Sequence, residues 1–250
     1  MTKDFYLEVA KGNIPGHSAV NKFGHNPVAT NLSDVWAGLG TYPFYPLTAQ
    51  AMELVSSATQ DEFASGIGAK TVMVFGLDSN WDEISETVEL DGQDPVDLQN
   101  TYLRIHRAVV VTAGEWNTNY GNITIEQDGA AGDTAAYISA GDGQTQQAIY
   151  TIPNGKTGYF IKGYVGISDN DKSGEAAQFK WRAKANNGVN GAWATKGQIS
   201  CTSIGSSWWQ YEYGIPAGPL PEKTDIRLEC SSVTAAMGVV GGYDILMVDD

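Results

Sequence analysis

Three histidines, two cysteines and a dense run of carboxylates are the residues of this chain best suited to catalysis or metal binding. His17 and His25 stand eight apart in a stretch crowded with Gly and Pro, and His106 lies among Arg104 and Arg107. None belongs to a spaced ligand pattern such as H-E-x-x-H, which sets two imidazoles on one helix face. His106 alternates with Leu103 and Ile105 and reads as a surface residue. The carboxylates Asp78, Asp82, Glu83, Glu86, Glu89, Asp91, Asp94 and Asp97 come with no Lys or Arg between Thr71 and Leu103. A glycosidase holds one carboxylate pair at a fixed separation around the scissile bond. Here the acids fall in turns and on alternating strand positions, the pattern of a solvated acidic face. No G-x-S-x-G, P-loop or dinucleotide fingerprint occurs. The expectation is a protein that is not an enzyme and has no cofactor or metal.

Two further stretches carry chemistry of another kind. Asp169-Asn170-Asp171-Lys172-Ser173-Gly174 opens like a calcium loop. Its twelfth position, a bidentate Glu in an EF-hand, is Lys180, and its flanks read as strands, so a polar hairpin loop is expected. Trp208-Trp209-Gln210-Tyr211-Glu212-Tyr213 is aromatic on both faces of one strand. Trp208 and Gln210 point one way, and Trp209, Tyr211 and Tyr213 the other. One set can fill a core, while the other needs a loop, a subunit or a ligand to cover it.

The elements around these residues are strands. Thr71–Leu77 is strongly β-favouring, Ile84, Val88 and Leu90 share one face of a second strand, and Leu103, Ile105, Val109 and Val111 repeat the period of two. Thr48 to Ser57 reads as one more strand, and Asn122–Glu126 as another. From Thr134 eight strands are expected at 134–140, 145–152, 157–167, 177–185, 192–201, 206–213, 224–231 and 239–248. Gly141-Asp142-Gly143, Asn154-Gly155 and similar turn formers separate them. The Gly- and Ala-rich stretch 128–133 reads as a linker. The fold class is therefore all-β. An extended N-terminal arm and small β-domain over 1–127 precede an eight-strand, jelly-roll-like β-sandwich over 128–250. Residues 1–48 are broken by Gly and Pro yet hold Phe5, Tyr6, Phe23, Trp36, Tyr42, Phe44 and Tyr45. A disordered tail is poor in aromatics, so this arm needs a surface to lie on. Within it Phe5 to Val9 reads as a strand and Leu32 to Trp36 as a helical turn.

Charge narrows the partners. The net charge is −14, with 6 basic and 16 acidic groups in 1–127 and 9 and 13 in 128–250. Phosphate backbones and anionic membranes repel such a chain, so neither nucleic acid nor membrane is an expected partner. No apolar run approaches the roughly 20 residues that span a bilayer. Met1 to Phe5 lacks the apolar region of a signal peptide, so synthesis in the cytoplasm is expected. Cys201 and Cys230 read as reduced, buried thiols.

Several phrases of the sequence belong together. They include Asn21-Lys22-Phe23-Gly24, Ala69-Lys70-Thr71-Val72, Gly76-Leu77-Asp78, and Ile84 to Val88 followed by Leu90-Asp91-Gly92. Tyr102-Leu103-Arg104-Ile105, Ala140 to Thr145, Ile149 to Pro153, Leu220 to Ile226 and Gly242 to Leu246 continue the pattern. Over nearly the whole chain they resemble virion structural proteins of tailed bacteriophages. The resemblance implies a particle component, a capsid decoration (cement) protein on the capsid exterior. Its partners would be the major capsid protein and its own copies in a homotrimer. The arm aromatics and Trp208, Trp209 and Tyr211 would supply the contacts. The alternative is a tail- or fibre-associated adhesin that stacks cell-surface glycan on Trp208, Trp209 and Tyr211.

Overall fold

The computed structural model describes residues 4–129, 132–168, 174–186, 191–203 and 208–250. The chain is almost wholly β and divides into two compact units. One unit takes Met1–Val35 and Ala148–Asp250, and the other Trp36–Gln147.

The first unit begins with the one α-helix among the described residues, α1 (Phe5–Ala10). Phe5 to Val9 was expected as a strand. Asp4 instead caps a helix, accepting the Leu7 N–H at 3.0 Å. The turn buries Val9 and leaves Phe5, Tyr6 and Leu7 exposed. Next comes β1 (His17–Ala29), a 13-residue strand in the segment expected to be irregular. Pro15 and Gly16 precede it, and Pro27 sits where its register shifts, between Asn26 and Ala29, a place that tolerates a missing donor. Gly24 is required inside it, because a Cβ there would lie 2.0 Å from the Val35 carbonyl oxygen. Then β2 (Ser33–Asp34) replaces the expected helical turn.

The second unit holds β3 (Met52–Ser56), β4 (Ala69–Leu77), β5 (Glu83–Glu89), β6 (Val96–Asp97), β7 (Arg104–Ala113), β8 (Ile123–Gln127) and β9 (Thr134–Ile138). They form two antiparallel sheets, ordered β5-β4-β7 and β6-β3-β8-β9. The stretch expected as a linker is the loop of the β8–β9 hairpin. Ile123 pairs with Ile138, and the Gln127 N–H donates to the Asp133 carbonyl at 3.1 Å. The division expected at 128–133 is thus replaced by boundaries at 35/36 and 147/148, because the hydrogen bonds of β8 cross the glycines. Residues 130 and 131 lie outside the described set.

Asp61 organises the loops of this unit. Its wholly buried carboxylate accepts from Ser56 Oγ at 2.6 Å and from the backbone N–H groups of Ala69, Tyr120 and Gly121 at 2.7, 2.7 and 2.8 Å. This one carboxylate ties both ends of the β3–β4 loop to the loop between β7 and β8.

The chain then returns to the first unit with β10 (Ile149–Thr151), β11 (Lys156–Ile167), β12 (Ala176–Ala185), β13 (Ala194–Thr202), β14 (Trp208–Leu220), β15 (Thr224–Val233) and β16 (Met237–Asp249). With β1 and β10–β16 counted as strands one to eight, the two sheets run 1-8-3-6 and 2-7-4-5. The pairs one–eight, two–seven, three–six and four–five nest inside one another, so the unit is a long antiparallel ribbon folded into two layers. This is the jelly-roll order. The eight-strand jelly roll expected from the sequence is present, but its first strand is β1 and not 134–140, which is β9 of the other unit. The whole second unit is an insertion between strands one and two. β2 continues the β10 edge alongside β15, with Asp34 opposite Glu229.

Alternation along the long strands fills the space between the layers. Phe160 and Val165 of β11, Tyr243 and Ile245 of β16, Phe179 and Trp181 of β12, and Leu228 and Cys230 of β15 form one buried cluster. Cys201 joins it, and both cysteines are buried thiols outside any disulfide. Each large aliphatic or aromatic side chain buried this way contributes about 1.5–3 kcal/mol.

Candidate functional site

Strand β14 is an edge strand: among the described residues β11 is its one hydrogen-bonded neighbour in the sheet. Trp208, Trp209 and Tyr211 are about half exposed on it (49, 48 and 53%), and Ile215 is 85% exposed. Tyr213 shares the inward face of the strand with Trp209 and Tyr211, and of the three it stacks on Phe160, at 6.3 Å between centroids. Burial raises the pKa of its hydroxyl, and neighbouring Tyr211 adds to the shift. A small cleft of about 240 Å³ between β13 and β14 is lined by Trp181, Ile199, Tyr211 and Tyr213.

On the outward face of the 1-8-3-6 sheet, Trp208 meets Tyr164 of β11 at 5.3 Å and 30°. Tyr164 lies over Gly242, where an added Cβ would meet its hydroxyl at 2.6 Å, and that hydroxyl donates to the Lys22 carbonyl at 3.2 Å. Glycine at 242 is what lets the ring lie down on the sheet. Burial raises the Tyr164 pKa, and the Asn21 hydrogen bond opposes the shift.

Beside the rings, four polar residues cross the same face in register: Asn21 of β1 opposite Asp244, Asp244 opposite Lys162, and Lys162 opposite Glu212. Asn21 Nδ2 donates to Asp244 Oδ1 at 2.5 Å, and Lys162 Nζ lies 3.1 Å from Asp244 Oδ2. At the end of the row Gln210 Nε2 donates to Glu212 Oε1 at 2.7 Å. A groove of about 570 Å³ opens over this row, walled on one side by Tyr6 of α1.

The outward face of the other sheet is different. There Arg227 lies between Asp34 and Glu229, at 3.3 and 2.7 Å, and Arg182 reaches the second oxygen of Glu229 at 3.0 Å. Lys184 pairs with Asp225 at 3.3 Å, and Thr151 and Asn186 also donate to that carboxylate. The Trp193 ring covers both cations, 4.4 Å from the Arg227 guanidinium carbon and 5.3 Å from Lys184 Nζ. Asp34 and Asp225 are wholly buried. Their spacing in sequence gave no sign of this network, because its members come from strands that only the jelly-roll order makes neighbours.

The expected arm residues separate into three groups. Phe5 and Tyr6 are exposed on α1, and Phe23 is half-buried on the outward face of β1. Trp36, Tyr42 and Phe44 are corrections: they are core side chains of the second unit, each at most 2% exposed. The Tyr42 hydroxyl donates to the Ala135 carbonyl at 2.8 Å, and its ring meets Trp36 and Tyr45 at 5.1 and 5.2 Å. Arg104 then covers the Tyr45 and Trp81 rings. The aromatics found their surface within their own unit.

Other readings also change. His106, expected at the surface, is buried, as is Arg104, which donates to the Pro46 carbonyl. Glu86 is not merely a solvated acid: it accepts from the backbone N–H groups of Gln99 and Asn100 and from the Tyr102 hydroxyl. Glu53, Asp97 and Asp128 bring carboxylate oxygens within 4.8 Å of one another on the β3–β6–β8 surface. Burial, then the charges of Asp128, Glu126 and Asp97, raise the Glu53 pKa. Of the calcium-like loop, positions 169–173 lie outside the described residues.

No protein-family model and no curated protein matches the sequence. Solved structures give distant likenesses. The protein of infectious bursal virus derived T=1 particles is 10% identical over 94% of this chain and 70% of its own, with a TM-score of 0.27. The tandem CBM22 domains of Paenibacillus barcinonensis Xyn10C are 10% identical over 94% of this chain and 93% of theirs, also at 0.27. The PBSX exported protein XepA is 12% identical over 92% and 84%, at 0.19. None of these scores is high enough to carry a function across.

Proposed function

We propose that this chain is a structural protein of a tailed-phage particle, a capsid decoration protein that attaches to the outside of the head shell through the aromatic edge of its jelly roll. The observation that carries this reading is the β14 strand. Trp208 on its outward face, Trp209 and Tyr211 on the opposite face, and Ile215 further along all stand exposed on one edge strand, where burial of each would contribute about 1.5–3 kcal/mol before ordering costs. Aromatics of this kind are enriched in the cores of protein interfaces. The sequence resemblance to virion structural proteins supports the same reading, and the net charge of −14 suits an exterior position away from packaged DNA.

Attachment by a free N-terminal arm is not part of the proposal, because β1 is strand one of the sandwich and Trp36, Tyr42 and Phe44 are core. The role would be mechanical: each copy bridges neighbouring major capsid protein subunits, or sister copies in a trimer, and adds buried area of about 1,600 Å² per contact. The test is imaging of heads that lack the protein, after addition of the full chain or of a Trp208→Ser, Trp209→Ser, Tyr211→Ser variant. Wild type should cover the head and the variant should leave it bare. Full coverage by the variant would overturn the proposal. So would wild type bound only in a few copies at the tail, the outcome expected of an adhesin.

A further inference from the structure

We infer that the groove beside α1 on the outward face of the 1-8-3-6 sheet is a binding site for a neutral sugar ring of a glycan. The inference shares strand β14 with the attachment reading, through Glu212, but it uses none of the exposed side chains Trp208, Trp209 and Tyr211.

The groove has the size and chemistry of a small-ligand site. Its volume of about 570 Å³ falls within the roughly 300–1,000 Å³ of such sites, which combine apolar lining with a few placed polar groups. The apolar part comes from Ile161 and small side chains of α1 and β1, with the Tyr6 ring on the wall. Tyr6 is 43% exposed and so has ring surface free for a ligand. The polar part is the row Asn21, Asp244, Lys162, Glu212, all four of which line the groove.

That row suits hydroxyls better than any single charge. It alternates amide, carboxylate, ammonium and carboxylate, so donors and acceptors sit side by side on four paired strands. A pyranose presents the matching pair of surfaces: an edge of hydroxyls that both donate and accept, and an apolar C–H face that packs on an aromatic ring. Each carboxylate has lone pairs beyond those used by Asn21, Lys162 and Gln210, and so can accept further O–H donors. Strands hold these groups more rigidly than loops would, which reduces the ordering cost of binding.

Charge selects among sugars. Asp244 and Glu212 against Lys162 leave the row with one excess negative charge on a chain that is itself strongly acidic. A sulfated, phosphorylated or sialylated sugar would be repelled, and a cation would face the Lys162 ammonium at the centre of the row. A neutral hexose has neither penalty.

The test uses the full chain and saturation-transfer NMR with maltose, cellobiose and lactose at millimolar concentration, and 3′-sialyllactose as the anionic control. At least one neutral disaccharide should receive saturation on its ring C–H protons. Loss of one stacking or hydrogen-bonding side chain, in Tyr6→Ala or Glu212→Ala, should weaken that binding by about tenfold. The Trp208→Ser, Trp209→Ser, Tyr211→Ser variant should keep it, which separates failure here from failure of the attachment reading. Glu212 is exposed, so Glu212→Ala keeps the test alive if Tyr6→Ala disturbs α1. No transfer to any neutral disaccharide would overturn the inference. So would binding unchanged in Glu212→Ala, or stronger transfer to sialyllactose than to lactose.

Discussion

The two outward faces of the jelly roll are built on opposite principles. The face of the 1-8-3-6 sheet keeps its charges at the surface and lays rings beside them: Lys162 and Asp244 are 31% and 26% exposed, and Trp208 about half. The face of the 2-7-4-5 sheet takes its charges out of water: Asp34, Asp225 and Glu229 are at most 3% exposed, under Arg227, Arg182 and Lys184. A solvated ion pair is individually weak and replaceable. A desolvated one is strongly coupled, since removing one partner strands the other. The first face is therefore free to serve recognition, and the second is committed to holding strands in register.

The contrast breaks most visibly at Arg227. Arg227→Ala leaves Asp34 and Glu229 short of their shared cation and should cost about 3–5 kcal/mol. Urea denaturation of the purified chain measures this, and a loss below about 1 kcal/mol would put the second face on the same footing as the first.

The interior between the faces gives the next effect. Burial pushes the Cys201 thiol from its ordinary 9.0 up to about 11, and burial likewise raises the Tyr243 hydroxyl. The folded thiol keeps its proton where the unfolded one releases it. Stability is thus fully present below about pH 9 and falls as pH rises toward 11, by on the order of 2 kcal/mol for this group. Melts at pH 8 and pH 10.5 should show the drop, and Cys201→Ala should shrink it. A slope unchanged by Cys201→Ala would assign it to the tyrosines instead.

On the first face, Lys162→Ala should cost about 1 kcal/mol or less, and about 1 M salt should reduce that cost further, because exposed pairs are screened. The Arg227→Ala loss should change little with salt. Equal salt sensitivity of the two variants would erase the distinction between the faces. The smallest effect is expected of Trp208→Ser, within about 0.5 kcal/mol of wild type, as a side chain reserved for a partner should contribute little to the isolated fold. A loss of about 2 kcal/mol or more would make Trp208 part of the core in all but position.

The strands after Thr134 were legible because their alternation is clean and their turns carry Gly and Asn. Val165, Tyr243 and Ile245 recur at the spacing that faces one core. β1 was hidden for physical reasons. It buries Lys22 and Asn26, its Gly24 serves a close approach to Val35, and Pro27 marks a bulge, so each local signal argued against a strand. Only the pairing partner β16, more than two hundred residues away, makes sense of it. The helix at Phe5 does carry a signal in the sequence, since Asp4 precedes it in the N-cap position. The β14 aromatics were visible as a run of rings. The groove beside them was not, because Tyr6, Asn21, Lys162, Glu212 and Asp244 lie in five separate elements. Likewise Trp36, Tyr42 and Phe44 advertised a need for burial without saying where. Aromatic content reports that a surface must be found, and topology alone decides whose.

The insertion between strands one and two sets an order of events during synthesis. Strand β1 leaves the ribosome more than two hundred residues ahead of its partner β16, so Ser18 must wait for Met247 before it can pair. Contacts so far apart in sequence are slow to form, and the loop to be closed is long. The unit Trp36–Gln147, whose described strand pairings fall within its own span, is complete well before that moment. A growing chain therefore carries one finished body between an unpaired leading strand and the rest of a sandwich still to come. The unpaired edge is exposed to neighbouring chains for as long as translation takes.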